Sequence, residues 1–295
     1  MMAKRSANPA GPNGVVVIDK PAGWTSHDVV AKSRGVLGTR KVGHSGTLDP
    51  DATGVLVLGV GSATRLLRYL TELPKSYEGE IVLGVATSTL DAAGDVTAEY
   101  DMAHVTDSQV RTAAAALTGD LMQVPPMVSA VKVDGRRLHE LARQGIEVER
   151  KARPVRVDRF DLEPVDGEPG VWRCTVDCSS GTYIRSLAAD LGAALGGGAH
   201  LRRLRRTSVG GFDLGQASPM DDPKVLPLSA AVAHLESTTV DEPTAVVVGH
   251  GQVVSRERLG VQGTGPFAVF GPDGALLAVY ERHPKGTKPS MVIPR

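Results

Sequence analysis

The chain of 295 residues has little of what would mark a secreted or membrane protein, and it has no net charge. It contains two cysteines, and its 33 Lys and Arg residues balance 33 Asp and Glu residues. No apolar run approaches the length that crosses a bilayer, and the first residues, MMAKRSANPAGPNG, lack the apolar core of a signal peptide. We therefore expect a cytoplasmic protein without membrane contact, beginning with a short loose tail over 1–13.

The two cysteines occur in the segment VWRCTVDCSS, where Trp172, Cys174, Val176 and Cys178 alternate with polar residues. Such alternation is typical of a half-buried strand. Four residues along a strand separate Cα atoms by about 13 Å, which exceeds the ~7 Å limit for a disulfide. The two cysteines therefore cannot bridge each other. Because the eight His residues are scattered and no Cys pair has zinc-finger spacing, the sequence predicts no metal site.

The neutral total conceals an uneven distribution of charge. Residues 202–206 read RRLRR, and 132–159 carry nine basic against five acidic residues, whereas 213–242 carry six acidic residues and one Lys. Phosphates respond to such local clusters and not to the total. A nucleic-acid partner is therefore compatible with the neutral composition.

Periodicity predicts an α+β fold with a mainly antiparallel central sheet and flanking helices, and not a doubly wound sheet, because strand and helix patterns do not alternate strictly. The segment Thr25-Ser26-His27-Asp28 resembles a capping box, which predicts a helix that Gly35 can end, and alternation over 77–85 predicts a strand. Residues 121–160 have a basic character of their own and predict an insertion into the main sheet. A stretch rich in Pro, Asp and Ser then precedes short, Gly-punctuated strand patterns that predict a small β-domain. The expected parts are a main domain over 14–238 with the insertion at about 121–160, and a C-terminal β-domain over 239–295.

Several interpretations compete for GHSGTLDPDATGVLVLG at 43–59, where Asp49 precedes a buried-looking apolar run. The neighbouring GVGSAT resembles a dinucleotide-binding turn, but Thr64 stands where that motif needs its third glycine. A serine-hydrolase elbow is also disfavoured, because Gly46 follows Ser45 directly. An ordinary Asp-Pro turn is the simplest alternative. Against it, Pro50 restricts the backbone of Asp49, and a carboxylate fixed before a buried strand could serve as a nucleophile or base.

The same stretch resembles the central motif of the bacterial tRNA pseudouridine-55 synthases, Gly-His-x-Gly-x-Leu-Asp-Pro-x-Ala-x-Gly. Four further stretches follow in the family's order: VVVIDKPAGWTSHDVV, KSYEGEIVLGVATSTLDAAGDV, VPPMVSAVKVDGRRLHELARQGIEVERKARPVRV, and CSSGTYIRSLAADLG with GAHLRRLRRTSVGGF. Together they span 14–212. The resemblance implies an isomerase that cuts the uracil of one T-loop uridine of tRNA from its ribose at N1 and rejoins it through C5, with neither cofactor nor metal.

The resemblance also implies roles for individual residues. Asp49 corresponds to the catalytic nucleophile and Arg185 to the arginine that pairs with it. Tyr77 corresponds to the tyrosine that stacks on the target base and is the candidate proton acceptor. The residues expected to contact the substrate are His44, Tyr183, Leu204, Lys20, Arg143, Arg150 and Lys151. Of these, Lys20 belongs to an Asp-Lys-Pro motif that is as much structural as functional.

The family resemblance also implies a function for each part of the chain. The main domain over 14–238 would be the catalytic domain. The insertion would fold over the T-loop as a thumb, and the C-terminal β-domain would be of the PUA type. The chain would act as a monomer without an obligate protein partner. Val128 and His139 depart from the Tyr that relatives often carry. The alternatives are a non-catalytic RNA-binding or RNA-folding protein that uses the same groove, and a nucleotide-binding oxidoreductase built on GVGSAT.

Overall fold

The computed structural model describes residues 11–129, 132–133, 136–137, 144, 146 and 148–294, with the backbone alone at 132–133 and 136–137. Residues 1–10 of the expected tail, His139 and Arg143 lie outside the described residues. The strands are β1 (Gly14–Lys20), β2 (Val42–His44), β3 (Thr53–Val60), β4 (Lys75–Leu83), β5 (Val85–Thr87), β6 (Val96–Glu99), β7 (Gly119–Gln123), β8 (Lys132–Val133), β9 (Arg136–Arg137), β10 (Arg153–Pro164), β11 (Val171–Cys178), β12 (Ala199–Val209), β13 (Phe212–Asp213), β14 (Val225–Leu226), β15 (Glu236–Thr239), β16 (Phe267–Phe270), β17 (Leu276–His283) and β18 (Gly286–Val292). The helices are α1 (Ser26–Val36), α2 (Leu67–Thr71), α3 (Asp107–Ala116), α4 (Ile184–Ala194), α5 (Glu242–Gly249) and α6 (Arg256–Leu259).

A ten-stranded sheet forms the body of the protein. Its order is β14-β1-β3-β12-β4-β11-β10-β7, with β2 added to β3 and β13 to β12. The β3–β12 pair runs parallel and the other pairs of this sheet run antiparallel. The predicted α+β class with a mainly antiparallel sheet is therefore confirmed. The topology brings the start of β3 beside β12 and β4, which positions the candidate site.

Helix α1 begins where the sequence predicts. The Thr25 hydroxyl accepts from the Asp28 N–H, and the Asp28 carboxylate accepts from the Thr25 N–H at 2.9 Å. Gly35 does not end this helix, which continues to Val36; the left-handed residue that favours glycine is Gly38, with φ 61°. The capping box thus fixes the start of α1, while its end comes later than the first available glycine.

The ends of the expected insertion belong to the main sheet. Strand β7 pairs with β10, so that Leu121 lies opposite Val155 and Gly119 opposite Val157. From Val157 to Pro164, strand β10 pairs with β11. Apolar burial in β10 favours this pairing: Val155 and Val157 alternate as buried residues, and after the irregularity between Val157 and Arg159 the buried Phe160 continues the pattern. Of the expected insertion, 121–123 and 153–160 therefore belong to the main sheet.

A second sheet, ordered β15-β16-β17-β18, forms the small C-terminal β-domain that the sequence predicts. It begins at Glu236, slightly before the expected boundary. Its side chains Ala268, Val279 and Met291 share one hydrophobic cluster with Val15 and Val57 of the body. The other face of the sheet packs on α5 and α6. The two sheets therefore have an apolar core in common. No helix of the described residues is both long and apolar enough to cross a membrane.

Candidate active site

The Asp49 loop, residues 45–52, joins β2 to β3 and carries Asp49 into an open cleft. At its start the Ser45 N–H donates to the Val57 carbonyl at 3.0 Å. At its end the chain enters β3, where Val55 and Leu58 are completely buried. Within the loop the Ala52 N–H donates to the Asp49 carbonyl at 3.2 Å. The loop is therefore anchored in the core on both sides of the carboxylate.

Lys20 holds the Asp49 loop through hydrogen bonds of its ammonium group. Its ammonium donates to the carbonyls of Pro21 at 3.0 Å, Trp24 at 2.7 Å and Pro50 at 2.8 Å, and the residue is 0% exposed. Burial lowers the pKa of Lys20 to about 8, against the opposing attraction of Asp51 and Asp49. The three N–H groups of the ammonium thus have three backbone carbonyls as acceptors. Of the two roles expected for Lys20, structural and functional, the geometry favours the structural one.

Two further contacts tie the N-terminal segment to the Asp49 loop. The Ser26 hydroxyl accepts from the Leu48 N–H at 2.9 Å and lies 3.2 Å from the Leu48 carbonyl. The Gly23 N–H donates to the Pro50 carbonyl at 3.0 Å. The backbone on either side of Asp49 is thereby held, so the carboxylate has little freedom apart from its own side-chain torsions.

Arg185 pairs with Asp49, as the family resemblance leads us to expect. The Nε atom lies 2.9 Å from Oδ2 of Asp49, and Nη2 donates to Oδ1 at 3.1 Å. Two parallel contacts of this kind fix the plane of a carboxylate as well as its position. The guanidinium is 4% exposed while the Asp49 side chain keeps 41% of its surface exposed. Asp49 is thus clamped on one side and open to the cleft on the other.

The rest of the Arg185 guanidinium is also occupied. Nη1 donates to the Thr89 carbonyl at 3.0 Å and lies 3.3 Å from Oδ2 of Asp91, while Nη2 also donates to the Val128 carbonyl at 2.8 Å. Asp91 in turn accepts from the Thr89 hydroxyl at 2.5 Å. Asp91 and Thr89, which sequence analysis did not select, therefore hold the arginine that holds Asp49. Both lie in the family-like stretch TSTLDAAGD, which was the available signal.

Burial raises the pKa of the Asp49 carboxyl, because the surrounding protein disfavours the charged form. Arg185 opposes this effect, Asp91 reinforces it, and Lys20 opposes it. Arg185 therefore favours the ionised form of Asp49, but the effect of burial is larger. The ionised carboxylate is therefore less stabilised than that of a surface aspartate.

Tyr77, Tyr183 and Leu204 line the same cavity of about 400 Å³ as Asp49 and Arg185, a size typical of small-molecule sites. Tyr77 is 8% exposed, and burial raises its pKa. Tyr183 is fixed through its backbone, which exchanges two hydrogen bonds with the Gln123 side chain at 2.7 and 3.1 Å. The structure therefore brings these three predicted residues together with the Asp49–Arg185 pair.

The other predicted substrate contacts that the structure describes do not line this cavity. His44 stands on β2 with its ring in edge contact with His27, at a centroid distance of 5.3 Å, and burial lowers its pKa. Arg150 donates to the Pro125 carbonyl at 3.1 Å, and Lys151 is exposed. Both basic residues stand where 124–152 rejoins the sheet, and Arg143 lies outside the described residues.

The RRLRR run of β12 is largely neutralised. Arg202 contacts Glu80 at 2.7 Å and Glu168 at 2.5 Å, and Arg205 contacts Asp19 at 2.8 Å. Arg206, the last residue of the run, is 1% exposed. A phosphate would therefore find fewer available cations here than the sequence suggests. In the described residues no three His, Cys, Asp or Glu side chains group as metal ligands.

Comparison with known proteins agrees with this architecture. The family model "TruB family pseudouridylate synthase (N terminal domain)" matches residues 34–184, and "tRNA pseudouridylate synthase B C-terminal domain" matches 185–237. The tRNA pseudouridine synthase B of Thermobifida fusca (strain YX) is 48% identical over 294 residues, which covers 95% of this chain and 98% of the relative. That of Arthrobacter sp. (strain FB24) is 45% identical, covering 95% and 96%. A solved Cbf5-Nop10-Gar1 complex contains a chain that is 25% identical, with a TM-score of 0.74 over 98% of this chain and 92% of that one.

The sequence of this chain and its large mixed sheet are thus shared with enzymes that isomerise uridine to pseudouridine. The chain belongs to the TruB family of pseudouridylate synthases. The resemblance found in the sequence motifs is confirmed, and the alternative of a nucleotide-binding oxidoreductase is rejected.

Proposed function

We propose that this enzyme acts on tRNA and converts the T-loop uridine at position 55 to pseudouridine, with Asp49 as the nucleophile. The observation that carries the proposal is the bidentate contact of Arg185 with Asp49 at 2.9 and 3.1 Å. It leaves one face of the carboxylate directed into a cavity that Tyr77 and Tyr183 also line.

A single carboxylate that is accessible to the substrate suits an isomerisation better than a hydrolysis. Glycosidases commonly use two carboxyl groups, one as acid and the other as base or nucleophile. Asp91 is the second carboxylate near Asp49, but it is engaged by Arg185, by the Thr89 hydroxyl and by the Ala93 N–H at 3.2 Å. Asp91 therefore supports Arg185 while Asp49 meets the nucleotide. No water needs to be activated, because the detached uracil returns to the same sugar.

The proton balance of the reaction defines a role for Tyr77. Attachment of the ribose through C5 releases the C5 proton, and N1 gains a proton after its bond to the ribose breaks. We assign the uptake of the C5 proton to the Tyr77 oxygen. Its position in the Asp49 cavity and its location on a rigid central strand support this assignment. The reaction is redox-neutral overall and, as we propose it, uses neither cofactor nor metal.

Access to the target base requires it to leave the tRNA stack. We propose that 124–152 acts as the thumb that covers the T-loop, with Arg143, Arg150 and Lys151 directed at phosphates and His44 at the flipped nucleotide. The exposure of Lys151 and the position of Arg150 at the base of the segment support this arrangement. The C-terminal sheet would bind RNA as a PUA-type domain. The enzyme would act as a cytoplasmic monomer.

The decisive experiment is to incubate the purified protein with an unmodified tRNA transcript and to map pseudouridine at nucleotide resolution. We expect one modified site, in the T-loop, and none with Asp49→Asn. A transcript in which that uridine is replaced by cytidine serves as the substrate control. Modification at another position would refute the site assignment, and full activity of Asp49→Asn would refute the nucleophile.

A further inference from the structure

Arg206 is a buried cation that forms no ion pair within the described residues. It is 1% exposed, and its guanidinium donates to three backbone carbonyls, those of Val55 at 2.7 Å, Gly46 at 3.2 Å and Thr47 at 3.5 Å. None of the ion pairs in the described part of the chain includes it. A buried charge without a counter-ion is costly, so such a residue calls for an explanation.

The position of Arg206 links it to both halves of the active site. Gly46 and Thr47 belong to the Asp49 loop, so two of its three acceptors lie just before the nucleophile. On the sheet, Arg206 of β12 is the antiparallel partner of Tyr77 of β4, and both residues line the Asp49 cavity. Arg206 is therefore within reach of the proposed nucleophile loop on one side and the proposed base on the other.

We propose that Arg206 is a positioning residue of the active site, whose unpaired guanidinium fixes the Asp49 loop and stabilises negative charge on the Tyr77 oxygen. The proposal rests on the assignment of Tyr77 as the proton acceptor. A tyrosine accepts a proton from carbon only as the phenolate, and a neighbouring cation favours that form. The missing carboxylate is then an advantage, because a counter-ion on Arg206 would weaken its effect on Tyr77.

The other groups around Tyr77 act in the opposite direction or are engaged elsewhere. Burial raises the pKa of Tyr77, and Asp49 on the loop and Cys178 on β11 reinforce that rise, whereas the charge and hydrogen bond of Arg206 lower it. Lys75, two residues earlier on β4, donates to the carbonyls of Thr71 and Leu73, each at 2.6 Å. Burial raises the pKa of the Cys178 thiol to about 11. Arg206 is thus the group whose removal should make Tyr77 harder to ionise.

The first test measures the ionisation of Tyr77 directly. Phenolate absorbance is followed against pH for wild type and Arg206→Gln. The chain has five tyrosines, so the spectra of the corresponding Tyr77→Phe proteins are subtracted to remove the absorbance of the other four. We expect Tyr77 to ionise at higher pH in Arg206→Gln than in wild type. Ionisation at the same pH would overturn the proposal.

The second test separates charge from simple structural support. We expect the single-turnover rate of Arg206→Gln on tRNA to fall at least tenfold at neutral pH, and by no more than the ~10²- to 10⁴-fold that a general base contributes. The loss should shrink as the pH rises. A purely structural role predicts the same loss at every pH. The matched control is Arg205→Gln, one residue earlier in the chain. It also removes an arginine charge, but from a partly exposed ion pair with Asp19, so it should change neither the pH at which Tyr77 ionises nor the single-turnover rate.

The tests also distinguish this inference from the proposed function. If Tyr77→Phe turns over at the wild-type rate, Tyr77 is not the base and the assignment of the base fails, whereas the absorbance titration still reports whether Arg206 acts on Tyr77. If Arg206→Gln does not fold, Arg206→Lys replaces it. That variant keeps the charge, so Tyr77 should ionise near the wild-type pH, and ionisation at clearly higher pH would overturn the proposal.

Discussion

Replacement of Arg185 by lysine should impair catalysis far more than tRNA binding. Arg185 makes two contacts with Asp49 and also reaches Asp91 and the carbonyls of Thr89 and Val128. A lysine ammonium offers three hydrogens from one nitrogen and cannot reproduce this planar set. At least one charge-assisted bond to Asp49 is then lost. Such a bond contributes about 1.5–3 kcal/mol, which corresponds to a rate reduction of about 10- to 150-fold.

The assay is the single-turnover rate at saturating enzyme, with tRNA affinity measured separately. Arg159→Lys, in an exposed Arg–Asp pair on β10 with a separation of 2.5 Å from Asp161, is a suitable control and should leave both quantities unchanged. If Arg185→Lys weakens tRNA binding while the rate at saturation is preserved, Arg185 contacts the RNA and its orientation of Asp49 does not matter for the reaction.

Three other substitutions test the remaining parts of the site. Asp49→Asn should bind tRNA like wild type and form no product, and residual turnover above about a tenth of wild type would count strongly against a nucleophile. Tyr77→Phe should bind fully and lose turnover if the hydroxyl is the base; unchanged turnover in the same single-turnover assay removes it from the chemistry. Lys20→Met should destabilise the fold, because three carbonyls lose their donor at about 1–3 kcal/mol each. Since burial lowers the pKa of Lys20 from 10.5 to about 8, the unfolded chain binds more protons between these values, and Lys20 makes wild-type stability rise with pH in that window. Denaturant unfolding at both ends of the window should show a smaller rise for Lys20→Met, and an equal rise would contradict the lowered pKa.

The parts of the fold that the sequence predicted are those governed by local rules. Alternation identified β4 and β11, and a capping box identified the start of α1. The family motifs selected Asp49, Tyr77 and Arg185, which the structure brings to one cavity. Local patterns worked less well at the edge of the sheet. The side chains of β7 alternate in burial, with Met122 66% exposed, but its sequence GDLMQ shows no alternation of apolar and polar residues.

The parts that the sequence did not predict depend on pairs of residues far apart in the chain. Arg202 and Glu80 meet across adjacent strands although 122 positions separate them, so charge counting along the chain misjudged the basic run. Ser26 bonds the backbone of Leu48 through an interaction that no spacing rule suggests. Arg206 had a partial signal, because it lies two residues after Leu204 and so shares the face of β12 that meets the cavity.

The apolar core that β1 and β3 share with the C-terminal sheet makes the two parts of the chain dependent on each other for stability. Loss of β16 to β18 would uncover Val15 and Val57 together with their neighbours in the cluster, and an exposed apolar patch of that kind favours aggregation. A chain shortened before Glu236 is therefore a poor route to an isolated catalytic domain. The intact protein should unfold in one cooperative transition, since neither sheet can open without exposing the surface that the other one covers.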